Sequence, residues 1–428
     1  MTPHTTPRRP PAPKRAIVAT CLAFLVAMMG TTIPTPLYSI YAAELAFSPL
    51  TVTVLFAAYA IGVIAALACF GRLSDEIGRR PVLMIAVATA LASALLFLLP
   101  PSLPLLIIAR VVSGLGAGLM SGTGTAALMD LFPAERRATA GALSVGVNTG
   151  GLALGTLVAG IIAETAARPL VTPFVVHLEL CALALALLAL WSPRRPSGLP
   201  VRPAPFVTVG PDGSQGTHDQ RDQRGGRSER PRIRPQRLRV PPELRGAFTR
   251  AVLGAGAGFA TTGVLTAVTA IFLARDLRLE SHALAGFVVF LAFGCMALGQ
   301  LFARLLNPRV ALPAGCAGLV VAAALLATAL ATATLTPLLA AAVTLGLAAG
   351  VCLNAGITSL VDQSPPERRG EVSSAYFAGL YVMLAIPAVG VGVLASIIGL
   401  REAGLVFCAV VALLAVAVGV AQLRSSRA

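Results

Sequence analysis

The chain has 428 residues, 56% hydrophobic and only 12% charged, with a formal net charge of +15 and a mean hydropathy of +0.83. Soluble domains are roughly half apolar and a quarter charged. This much apolar surface cannot be hidden in water, so the composition excludes an ordinary soluble enzyme or binding domain. The positive charge does not indicate nucleic acid, because it falls in short clusters between apolar runs rather than along one face.

A bilayer span needs about 20 largely apolar residues. The first such run is 16–42, behind a basic tail, 1–15, with Arg8, Arg9, Lys14 and Arg15. It is too long and too well followed for a cleaved signal peptide, and reads as a retained membrane helix. Gly30, Pro34 and Pro36 should bend it and free carbonyls, which are tolerated where they line a cavity. Further runs follow at 51–71, 81–100, 103–129, 139–163 and 171–192, completing a six-helix bundle over 16–192. Pro81, Pro104 and Pro173 stand at helix starts, where a missing N–H costs little. Residues 193–246 are rich in Pro, Arg, Gly, Gln and Ser, and read as a disordered cytoplasmic linker whose arginines lie against anionic lipid. Six more runs, 247–273, 282–304, 310–331, 335–361, 371–398 and 402–423, make a second bundle over 247–423, followed by a short tail, 424–428.

The fold class is therefore an all-α polytopic membrane protein of twelve helices in two halves. Basic clusters recur at alternate loops, around Arg72 to Arg80, at Arg136 and Arg137, in the linker, at Arg304 and Arg309, and at Arg368 and Arg369. The other loops hold only Arg168, Arg275, Arg278 and Arg401. By the positive-inside rule both termini lie in the cytoplasm of a cell membrane. Cys21, Cys69, Cys181, Cys295, Cys316, Cys352 and Cys408 all lie in apolar runs without metal-ligand spacing, and read as small buried hydrophobes. No phosphate loop, zinc motif or catalytic triad occurs, so neither enzyme chemistry nor a metal or organic cofactor is expected.

The densest signal is the loop from Gly71 to Arg80 between the second and third runs. Gly71, Leu73, Asp75, Gly78, Arg79 and Arg80 fit the pattern G-x-L-x-D-x-x-G-R-R, and the loop resembles the signature loop of the major facilitator superfamily. The resemblance implies a secondary transporter with alternating access. It also implies that Asp75 sits beside the start of the eleventh helix, near Gly370 to Ser374, as a latch between the halves, with Arg79 and Arg136 completing a charge cluster. A plain topogenic loop would need neither Asp75 nor the paired glycines.

The halves repeat independently of that loop. Gly114, Gly116 and Gly118 align with Gly346, Ala348 and Gly350. Asp130, Pro133, Glu135, Arg136 and Arg137 align with Asp362, Pro365, Glu367, Arg368 and Arg369. Arg72, Leu73, Ser74 and Asp75 meet Arg304, Leu305, Leu306 and Asn307, so the second copy has lost the acid. Parallel six-helix repeats are the architecture expected of this superfamily.

Arg110 lies within the fourth run ahead of Gly114 and Gly118, and resembles the superfamily's second motif. A cation inside a span is costly, so it reads as a coupling or substrate-anion residue, unless it snorkels to the interface. On the fifth run Gly151, Gly155 and Gly160 resemble the exporter motif G-x-x-x-G-P-x-x-G-G, with Thr156 in the Pro position and Ala159 in a Gly position. Glu179, the one carboxylate well inside an apolar run, is the candidate proton carrier, with His177 nearby and solvated. The superfamily cavity lies between helices 1, 4, 7 and 10. Its candidate lining here includes Thr32, Tyr38, Thr262 and Asn354, with Tyr59, Asn148, Gln300 and Tyr376 on neighbouring helices. The expected partners are a small-molecule substrate, protons and membrane lipids, with no nucleic acid. The chain is expected to be a monomer energised by a proton gradient, exporting drugs or metabolites that are neutral or anionic. Nutrient uptake and a non-transporting receptor or scaffold are the alternatives.

Overall fold

The computed structural model describes residues 14–71, 73–191, 240–365 and 368–425, with the backbone alone at 208–209 and 215–216; the side chains of Asp75 and Ala134 lie outside the description. The helices are α1 (Lys14–Thr32), α2 (Tyr38–Glu44), α3 (Pro49–Phe70), α4 (Leu73–Glu76), α5 (Arg79–Leu98), α6 (Leu103–Leu131), α7 (Arg137–Thr165), α8 (Thr172–Trp191), α9 (Arg245–Arg275), α10 (His282–Phe302), α11 (Pro308–Thr332), α12 (Leu335–Asp362), α13 (Arg369–Ile398) and α14 (Leu400–Ser425). All but the short α2 and α4 are long and apolar enough to cross a membrane, twelve spans among the described residues. Observed span ends lie close to the expected ones because the apolar runs are long and end sharply at Gly, Pro or charge.

The first run departs most. It breaks after Thr32, passes through a turn at 33–37 that holds Pro34 and Pro36, and resumes as α2. The linker is largely outside the described residues; two-residue strands, Thr208–Val209 and Gln215–Gly216, pair antiparallel within it. Residues 240–246, assigned to the linker, already include a 3-10 turn, Pro242–Leu244, and the first turn of α9.

Large apolar side chains cover the outer surface, among them Ile61, Ile108, Leu190, Ile397 and Leu413. Such a belt is unstable in water and natural in lipid. Helices must then associate by close packing rather than by excluding water, and the two halves do this in parallel. A Cβ at Gly114 on α6 would collide with the Tyr59 carbonyl of α3, and one at Gly346 on α12 with the Ala292 carbonyl of α10. α3 packs on α6 as α10 packs on α12, and α1 on α7 as α9 on α13. The aligned glycines are therefore the contact points of the same helix pairs in each half.

The halves meet along two seams, α7 with α10 and α3 with α13. We call the bundle end that carries Lys14 and Ser425 the termini face and the opposite end the far face. On the far face Ile33, Leu37, Tyr38, Tyr41, Val52 and Leu55 of the first half pack with Ile271 of the second in one apolar cluster.

Candidate functional site

Arg110 is 1% exposed and does not snorkel. Its Nη1 donates to the Thr31 carbonyl at 2.6 Å and its Nε to the Leu55 carbonyl at 3.3 Å. Its guanidinium carbon lies 4.8 Å from the Tyr59 ring centroid and 5.8 Å from that of Phe56. No carboxylate of a described residue is within ion-pair distance of it. Carbonyl dipoles and ring faces hold the charge in place of a counter-ion. The freed carbonyl is available because α1 ends at Thr32, so the two prolines and Arg110 form one device. The hydroxyls of Tyr38 and Tyr41 are buried without a hydrogen-bond partner. Tyr59 also meets the Tyr381 ring edge-on across the seam at 6.1 Å.

In the signature loop, Gly78 has φ 96° and ψ 160°, a backbone conformation essentially restricted to glycine. Arg79 Nε donates to Asp130 Oδ2 at 3.1 Å and its Nη1 to Ser74 Oγ at 2.6 Å. Arg80 Nη2 donates to the Ala189 carbonyl at the end of α8, at 2.6 Å. Gly71 caps α3, and Leu73 packs on the first-half core. The Asp75 side chain and Glu367 lie outside the described residues. Asp130 pairs with Arg79, while Glu135, Arg136, Asp362 and Arg368 are exposed and join no ion pair among the described residues. Asn307, in the repeat position of Asp75, instead caps α11 by accepting from the Arg309 N–H at 3.0 Å. Arg304, in the position of Arg72, crosses the seam to the Ala138 carbonyl at the start of α7, at 3.3 Å.

The three motif glycines of α7 make close approaches. A Cβ at Gly151 would lie 2.6 Å from the Leu25 carbonyl of α1, one at Gly155 would strike Thr32 and Met29, and one at Gly160 would strike the His282 carbonyl of α10. One helix thus contacts α1 with one edge and the other half with the next.

Several cavity candidates prove structural. Thr32 bonds the Leu152 carbonyl of α7 at 2.8 Å. Thr262 bonds back to Gly258 at 2.9 Å. Gln300 donates to Thr149 across the seam at 3.2 Å. Tyr376 is fully buried and donates to the Leu353 carbonyl within its own half at 3.1 Å. Asn148 and Asn354 are half-buried with no hydrogen bond, Asn354 on the side of α12 that also carries the exposed Leu347. A small, partly open pocket lies inside the second half, lined by apolar groups such as Val268, Phe272, Leu330, Val391 and Phe407.

Glu179 is corrected. It lies on the outer stripe of α8 with exposed Val175 and Leu183, facing away from both seams, because α8 buries the stripe through Phe174, His177 and Cys181. His177, expected to be solvated, is 2% exposed and packs on Gly30, where any Cβ would strike the imidazole. Gly30 therefore makes room for His177. Cys69 is exposed, and Cys21 and Cys295 are half-buried, against the expectation that all seven are buried. No metal-binding group of His, Cys, Asp or Glu occurs among the described residues.

Sequence reasoning missed a second contact between the halves. Glu164 Oε2, in the last turn of α7, accepts from the His282 N–H at 2.7 Å, the Ala283 N–H at 3.2 Å and Ser281 Oγ at 3.3 Å, at the start of α10. Ser39 Oγ of α2 lies 3.4 Å from His282 Nδ1. No local pattern links residues so far apart in the chain.

The sequence model of the Major Facilitator Superfamily matches residues 20–386 and 251–427. The chain belongs to the Major Facilitator Superfamily. An MFS-type transporter of Aspergillus terreus is 33% identical over 143 residues, 33% of this chain and 25% of that protein. A class H tetracycline resistance protein of Pasteurella multocida is 30% identical over 133 residues, 31% of this chain and 33% of that protein. These alignments span only a quarter to a third of the curated relatives' length. A bacterial homologue of the human lysosomal transporter Spinster, solved in an inward-facing, unoccupied conformation, has the same fold, with a TM-score of 0.68 at 16% identity over 96% of this chain and 98% of that one. This facilitator-superfamily chain is a multi-pass membrane protein built on that fold.

Proposed function

We propose that this transporter exports small amphiphilic compounds, neutral or anionic, against a proton gradient by alternating access. The observation that carries this reading is α7, whose Gly151, Gly155 and Gly160 place one helix in backbone contact with α1 and with the opposite half. The exporter-like glycine pattern thus falls where a change of access must act. The tetracycline resistance relative supports efflux. Arg110 supports the substrate charge: a buried cation without a described carboxylate partner repels organic cations and favours anions or neutral molecules. The described basic clusters at Arg79 and Arg80, Arg136 and Arg137, Arg304 and Arg309, and Arg368 and Arg369 lie at the termini face, which supports a cytoplasmic assignment for that face. The protein works as a monomer in the cell membrane, with substrate, protons and lipid as its partners.

A growth panel tests this. An efflux-deficient bacterial host expresses the chain, or its Asp75→Asn variant at matched membrane levels, against chemically varied antibiotics and dyes. Export predicts resistance to a subset, lost in the variant and abolished when the proton gradient is collapsed. No protection from any compound, with both proteins inserted, rejects export in favour of uptake. Best resistance to lipophilic cations rejects the assigned substrate charge.

A further inference from the structure

The two far-face seams are built on one plan. At the first, Gly160 of α7 lies against His282 at the start of α10; at the second, Gly392 of α13 lies against Leu50 and Thr53 at the start of α3. Gly160 and Gly392 hold the same position in the internal repeat, as do His282 and Leu50. Both receiving helices also begin with a capping serine, Ser281 accepting from Leu284 N–H and Ser48 from Thr51 N–H. Among the described residues, a carboxylate crosses the first seam and none crosses the second. Glu164 has Ser396 as its repeat counterpart, and Ser396 Oγ turns back to the Val393 carbonyl of its own helix at 2.6 Å.

We propose that Glu164 is the far-face latch of the transport cycle, holding the halves closed there by capping α10. A carboxylate in the last turn of its own helix faces the negative end of that helix's dipole, a local conflict. The conflict is resolved across the seam, where the first N–H groups of α10 have no partner within their helix and offer partial positive charge. Both N–H groups and the Ser281 hydroxyl converge on the single oxygen Oε2. The close packing of Gly160 and of Gly286, whose Cβ would strike the Thr156 carbonyl, gives the latch a fixed register. Ser39 on His282 adds α2, which covers Arg110's end of the bundle, to the same closure. Opening the far face must part Glu164 from α10, whereas the other seam parts there without losing an ionic contact.

Pulsed EPR on the full-length protein in nanodiscs tests this, with clickable spin labels at Arg168 and Leu279, exposed far-face positions on the two sides of the latched seam. The native protein should give a short-distance population. Glu164→Ala should enlarge a longer-distance population several-fold, Glu164→Gln less so because its amide oxygen still accepts, and Glu164→Asp should largely restore the short distance. Ser396→Ala should leave the distribution unchanged. Unchanged distances in both Glu164→Ala and Glu164→Gln overturn the proposal, and so does equal widening in Ser396→Ala. If Glu164→Ala does not fold, Glu164→Gln alone decides. No substrate is needed, so the outcome is independent of the direction of transport.

Discussion

Arg110 is held by geometry that a positive charge alone does not provide. Its two acceptors, Thr31 and Leu55, sit on different helices, and its flat face lies over Tyr59. A lysine at this position keeps the charge but loses the fork and the stacking face. A charge-assisted hydrogen bond is worth about 1.5 kcal/mol or more, and about 1.4 kcal/mol is a factor of ten in an equilibrium. We therefore expect Arg110→Lys to insert normally and to lose transport at least about tenfold, measured as efflux from loaded vesicles; near-native efflux rejects the two-carbonyl role. The presence of Arg110 in a span was legible from the sequence. Its acceptors were not, since backbone carbonyls leave no mark in a sequence. Glu179 shows the reverse error: its polarity was evident, but which side of α8 it occupies depended on what α8 packs against.

Helices in this protein are paired by absence of side chains. On α6, Gly114 touches the α3 backbone, while Gly122 has nothing within 4 Å of a Cβ position. Gly114→Ala should lower thermal stability in detergent markedly, because the colliding atom is a backbone oxygen that cannot rotate away. Gly122→Ala should be neutral or stabilising by up to about 1 kcal/mol, because Ala is the better helix former and nothing stands in its way. Equal effects of the two would mean that the close approach of α3 at Gly114 does not set the cost. Which glycines face a neighbour was only partly readable: the repeat singled out Gly114, Gly118, Gly346 and Gly350, whereas Gly286, Gly299 and Gly392 emerged from the packing alone.

Twelve spans with both ends on one face make orientation a single choice. Attraction of basic loops to the cytoplasmic side decides it. A green fluorescent protein fused after Ala428 should fluoresce and an alkaline phosphatase at the same site should be inactive. The opposite pair of results would invert the assignment and place the Glu164 latch on the cytoplasmic side. The halves of this chain are alike in topology but not in their contacts. Glu164 and Arg304 tie α7 to α10 at opposite ends, and Gln300 joins Thr149 between them. Along α3 and α13 the described contacts include the Tyr59–Tyr381 ring pair and the Gly392–Thr53 approach. Parallel repeats with unlike seams make the α7/α10 seam the more firmly held of the two.

The sequence by itself determined the class of the protein, the number of its spans and the internal repeat. These follow from properties that act locally or sum along the chain: hydropathy over a bilayer thickness, missing donors at proline and residue identities recurring at a fixed offset. Only the tertiary structure decided that Arg110 caps a broken helix, that Gly30 makes room for His177, that Glu179 faces outward, and that Glu164 and Arg304 bridge the halves. Each of those depends on which faces of distant helices meet. In a membrane both faces of a span are apolar, so periodicity does not distinguish the lipid side from the packed side.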